Sequence, residues 1–201
     1  MLPKFALALI VSVAVTSDAY ANETSTRGLG GVPCGKFVEV VRQNTEQKPT
    51  AASNAELLMF SQWIGGYMTA VNAQKEIEDT FPIRSPLGQA ITYFAIVCAQ
   101  NTKVPLVAVV NGSLEATFKF IPRKRKKDLV TIGTGKGQLV VYKKYLVEVQ
   151  KYLSKKGYRL KTDGVFGPGT ANAIQSYKKD NKLSGPATPD AFMLGSILSG
   201  K

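Results

Sequence analysis

Eight consecutive residues constrain this chain more tightly than any other stretch: Asp163-Gly164-Val165-Phe166-Gly167-Pro168-Gly169-Thr170. An aspartate can bond the backbone amides ahead of it in an Asx-turn, and the glycine after it tolerates positive φ. A proline placed next suits the first position of a helix. Before these residues, Tyr142, Tyr145, Leu146, Val149, Tyr152 and Leu153 form an apolar stripe at helical spacing, and Gly157 is placed to end that helix in a left-handed cap. After them, Ile174 and Tyr177 face inward on a second helix, and Leu194, Ile197 and Leu198 do so on a third that follows Thr188-Pro189-Asp190. Phe166 is expected to plug the core. Residues 138–201 therefore predict a three-helix unit hung on one turn.

Charge separates this unit from what precedes it. The 201 residues hold 26 Lys+Arg against 14 Asp+Glu, a net charge of +12, and no histidine. Without imidazole, His-dependent triads, zinc amidases and Cys-His transpeptidases are excluded, and catalysis would rest on carboxylates, lysines or hydroxyls. Residues 22–121 are neutral, 122–137 carry +5 and 138–201 carry +7. The step falls on Pro122-Arg123-Lys124-Arg125-Lys126-Lys127, followed by a short apolar stretch and Gly133-Thr134-Gly135-Lys136-Gly137. Like charges repel and glycine resists fixing, so 122–137 is expected to be a linker. It is not a phosphate-binding loop, because Gly137 stands where Ser or Thr should follow Lys136. Arg123, Lys124, Arg125, Lys126 and Lys127 suit an anionic envelope surface, at roughly 1 kcal/mol per charge near such a surface. Nucleic acid is not the expected partner, because the chain reads as exported and its tyrosines sit at core spacing.

Residues 1–21 have the form of a signal peptide: Lys4, an apolar run from Phe5 to Val15, then Ala19-Tyr20-Ala21 as the small-x-small cleavage site. That run is short of the ~20 residues a membrane span needs. Export favours a disulfide between Cys34 and Cys98 over reactive thiols or metal ligands, two buried free cysteines being the alternative. Neither a metal nor any other cofactor is expected.

Residues 22–121 read as four helices. Cys34, Phe37, Val38 and Val41 repeat at helical spacing, as do Leu57, Phe60, Ile64, Tyr67 and Val71; then Leu87, Ile91, Phe94 and Cys98; then Val107, Val110 and Leu114. Ser53 with Glu56 three residues on has the form of a capping box, and Ser85-Pro86 and Val104-Pro105 place proline at helix starts. The expected fold class is all-α: a disulfide-stapled four-helix domain over 22–121, then a three-helix domain over 138–201.

Two resemblances give these units a function. Val149-Gln150, Leu153, Gly157-Tyr158, Asp163-Gly164, Phe166-Gly167, Thr170, Ile174, Tyr177 and Leu183 occupy the places of the pattern of the peptidoglycan-binding domain family, found at the ends of many bacterial cell-wall hydrolases. The chain departs from that pattern at Tyr177, where Phe is frequent, and at Lys182, where Gly often precedes Leu. The stretch Phe60 to Asn72, with Val97 to Thr102, more loosely resembles the small exported helical domains of the acid-stress chaperone HdeA and the type VI secretion immunity proteins. Those act by binding proteins.

The first resemblance implies a peptidoglycan ligand near the loop, with Tyr158, Arg159, Lys161, Asp163, Gly164, Phe166, Gly167 and Thr170 as candidate contacts. Most of these also serve the turn itself, so the pattern specifies the fold before it specifies a ligand. The expectation is a non-enzymatic protein of the periplasm or cell wall that binds peptidoglycan with one end and an envelope protein with the other. The alternative is a glycosidase-type remodelling enzyme using carboxylates alone. Its best acidic group, Glu76, Glu78 and Asp79, lies beyond the last apolar position of the second helix, where a solvated face is expected.

Overall fold

The structure, a computed structural model, describes residues 28–77, 79–84, 87–122, 128–133 and 138–200. The signal-peptide expectation, Glu78, Ser85-Pro86, the basic run 123–127 and the glycine-rich residues 134–137 lie outside the described residues. Seven α-helices occur among those described: α1 (Cys34–Thr45), α2 (Ala51–Gln74), α3 (Gly88–Cys98), α4 (Leu106–Thr117), α5 (Lys143–Lys155), α6 (Pro168–Asp180) and α7 (Ala191–Ser199). None is long and apolar enough to cross a membrane. The chain is mostly helical, as its spacing predicts.

A disulfide joins Cys34, the first residue of α1, to Cys98, the last of α3, and both are fully buried. It closes a loop across 64 positions, worth about 4 kcal/mol in the chain-entropy account. Of the expected stripes of α1 and α2, Cys34, Phe37, Val41, Phe60 and Ile64 are buried, while Val38, Leu57, Tyr67 and Val71 are half-buried. The ring of Phe37 packs 5.2 Å from that of Phe60. Helix α3 differs, because Tyr93 to Cys98 are buried all the way around. It lies against α1 on one side and α7 on the other, so one continuous core runs through both halves.

Two start signals fall elsewhere than expected. Thr50, not Ser53, caps α2: its hydroxyl accepts from the Ser53 amide at 3.1 Å, and the Ser53 hydroxyl accepts from the Thr50 amide at 3.0 Å. Glu56 instead meets Lys36 across the surface at 3.1 Å. Pro105 sits at the cap of α4, one residue before its first helical position, where it bridges the chain at Pro33.

The segment expected to be a linker contains a strand. β1 (Leu129–Ile132) pairs antiparallel with β2 (Leu139–Tyr142), with Leu129 opposite Tyr142 and Ile132 opposite Leu139. Valine, threonine and isoleucine suit a pleated, half-buried surface, and Ile132, Leu139 and Val141 are buried. The hairpin is anchored to the N-terminal half: the Arg84 amide donates to the Val140 carbonyl at 2.6 Å and the Tyr142 amide to the Pro82 carbonyl at 3.1 Å. Further on, the Ala191 amide at the start of α7 donates to Gln89 Oε1 of α3 at 2.9 Å. Phe120 meets Tyr145 edge-on at 5.5 Å. The two halves are thus packed together through the hairpin, α3 and α7.

Candidate functional site

Helix α5 presents Tyr145, Leu146, Val149 and Leu153 to the core and ends as its glycine predicts. Gly157 has φ 93°, its amide donates to the Ser154 carbonyl at 3.0 Å, and the next amide, of Tyr158, reaches back to the Leu153 carbonyl at 3.1 Å. That pair of bonds is the Schellman cap. It turns the chain out of the helix at Tyr158, and Arg159 and Lys161 follow on the way to Asp163.

The loop is organised by a side chain for which the sequence suggested no role. Gln150 lies among the apolar residues of α5 and is fully buried. Its Oε1 accepts from the Gly164 amide at 2.7 Å, and its Nε2 donates to the Val165 carbonyl and to Thr170 Oγ1, both at 3.0 Å. A longer contact of 3.4 Å reaches Asp163 Oδ1. Asp163 closes the expected Asx-turn by accepting from the Val165 amide at 2.9 Å, and that bond holds its carboxyl below the usual aspartate range. Gly164 has φ 72°, in the left-handed region that favours glycine, and a Cβ there would also crowd the Lys143 side chain at 2.8 Å. Gly167 caps α6, Pro168 takes its first position, and Thr170 is buried one turn in.

Asp163, Gly164 and Thr170 are therefore brought together around Gln150, while Phe166 is half-buried against the core and Arg159 and Lys161 are exposed. Tyr158 donates its hydroxyl to Asp180 Oδ2 at 2.6 Å, and its ring lies 6.0 Å from that of Tyr177, which hydrogen-bonds Tyr152 at 2.9 Å. Partial desolvation and the bond to Asp180 push the Tyr158 hydroxyl up to about 12. Val165, absent from the candidate contacts, is the most outward apolar side chain of the loop at 60% exposure.

The remaining supports are also internal. Lys178 and Asp190 form a fully buried ion pair, with the Lys178 ammonium also donating to the Pro186 carbonyl at 2.7 Å. Asp190 caps α7 through the Phe192 and Met193 amides. Its burial raises the carboxyl above the usual range, with Lys178 opposing that shift. Lys182, at the place where glycine often stands, adopts φ 55° and forms a second Schellman cap through the Leu183 amide to the Lys178 carbonyl at 2.8 Å. Among the described residues no group of three or more His, Cys, Asp and Glu side chains could hold a metal ion.

Helices α5, α6 and α7 thus form a three-helix unit wound around a glutamine-pinned Asp-Gly turn. Residues 144–189 match the family described as "Putative peptidoglycan binding domain". The C-terminal part of the chain thus carries a peptidoglycan-binding domain. The match stops short of α7, the helix that ties this domain to α3. No curated protein and no solved structure matches the chain.

Proposed function

We propose that this protein is exported, holds peptidoglycan through its C-terminal domain and offers its N-terminal helical domain to an envelope protein. The observation that carries the reading is the match of residues 144–189, supported by a turn held by hydrogen bonds within the domain. The excess charge of the C-terminal part suits a polymer bearing free carboxylates. The basic run 123–127 adds attraction to an anionic surface. On the N-terminal side, α2 carries no charged residue from Leu57 to Gln74 and leaves Leu58 and Met59 more than half exposed, at 57% and 55%. A protein partner on this side would meet those two side chains first.

Photo-crosslinking in cells from position 59 of the full chain, with fractionation of the wall, tests both halves. The expected result is a discrete adduct with an envelope protein, in chains that co-purify with sacculi. A chain that stays on sacculi but yields no adduct removes the partner half, and a chain washed free of sacculi removes the anchoring half.

A further inference from the structure

Where the two halves meet, a groove of about 470 Å3 opens between the 3-10 turn Phe118–Phe120, α5 and α7. Its floor is apolar, with Phe120 buried and Tyr152 half-buried. Its walls carry Lys119, Lys144, Lys151 and Lys155 against a single carboxylate, Glu148, a local excess of three positive charges. Glu148 is engaged by Lys151 at 2.9 Å, and Lys119 lies 5.1 Å from the centre of the Phe120 ring. Lys144 and Lys155 have no ion-pair partner among the described residues. Positions 144, 148, 151 and 155 recur on one face of α5, and at 1.5 Å per residue its end lysines stand about 16 Å apart. An extended peptide of about five residues has that length.

Neither half makes this groove alone, since Lys119 and Phe120 precede the matched domain and Ile197 of α7, on the opposite wall, follows it. We propose that the groove binds the acidic stem peptide of peptidoglycan, its carboxylates on Lys144 and Lys155 and its apolar groups on the half-buried Tyr152 and Ile197. The proposal rests on the reading that this protein binds peptidoglycan and deepens it. The peptide rather than the sugar chain is the ligand, and it lies apart from the Asp163–Thr170 turn. A short apolar floor between lysines fits a short chain with spaced carboxylates and methyl side chains. A polyphosphate has no apolar groups to cover that floor.

The test is calorimetric titration of the full chain with a soluble disaccharide-tetrapeptide, with the same molecule carrying amidated carboxyls, and with linear polyphosphate. Three variants accompany it: the triple substitution K144Q/K151Q/K155Q, its arginine counterpart K144R/K151R/K155R, and Lys179→Gln on the exposed face of α6. Expected are at least a tenfold loss of affinity in the glutamine triple, a similar loss on amidation, recovery in the arginine triple, and wild-type binding in Lys179→Gln. Equal affinity of the glutamine triple, equal binding of the amidated peptide, or polyphosphate binding as tight as the peptide overturns the proposal. If those results come with sacculus binding intact, only the groove assignment falls. If the wild-type chain ignores sacculi as well, the reading beneath it falls too.

Discussion

Replacing Gln150 with methionine asks whether one buried amide holds the Asp163–Thr170 turn. The side chains are close in volume, so the change removes polar contacts with little effect on packing. The Gly164 amide loses its partner, the bond from Gln150 Oε1 at 2.7 Å, and becomes a buried unsatisfied donor. The Val165 carbonyl keeps only the longer bond from the Thr170 hydroxyl, at 3.4 Å. One fully orphaned group costs about 1–3 kcal/mol and a weakened second bond adds about 1 kcal/mol, giving about 2–4 kcal/mol in all. For a chain of this length that corresponds to a fall in melting temperature of roughly 4–16 °C. The assay is urea denaturation with amide hydrogen exchange at Gly164, which should be protected in the parent and exchange rapidly in the variant. A change under about 0.5 kcal/mol, with Gly164 still protected, would refute the assignment of Gln150 as the organiser of the turn.

Four further outcomes follow from the same geometry. Lys182→Gly should stabilise by about 0.5–1 kcal/mol, because a residue with a Cβ pays roughly 1–2 kcal/mol in the left-handed region and glycine returns only part of that as flexibility; an unchanged or lower urea midpoint contradicts it. Asp190→Asn should cost about 3–5 kcal/mol by leaving the buried Lys178 ammonium without its counter-charge, and a loss under 1 kcal/mol in denaturation contradicts it. Reducing the Cys34–Cys98 bond should lower stability by about 4 kcal/mol, read as a shift in melting temperature between oxidised and reduced protein. The lowered Asp163 carboxyl contributes stability that is present above the ordinary aspartate range and lost as pH falls through its lower folded value, so exchange of the Val165 amide should accelerate only under strong acid.

What was legible in the sequence depended on whether a residue declares its own geometry. Gly157 and the Asp163 to Thr170 run did so, since each backbone conformation there is one that the residue itself prefers. Lys182 and Glu76 did not: both take positive φ, at 55° and 51°, because the tertiary fold turns the chain there against their preference. Gln150 showed as a place in the family pattern but without a role, because its partners come from 13 to 20 positions downstream. The hairpin was hidden because the four residues of β1 stand between a basic block and a run of glycines, and their pairing is made with residues outside that segment. α3 read as a one-faced helix for a similar reason. Its second face is buried by α7, whose approach no local spacing records.

Co-sedimentation of the full chain with purified sacculi tests most directly whether the C-terminal domain holds the wall. Retention well above that of a neutral globular protein, released when a muramidase solubilises the sacculi, is the expected result. Pelleting no greater than the neutral control at moderate salt would contradict it.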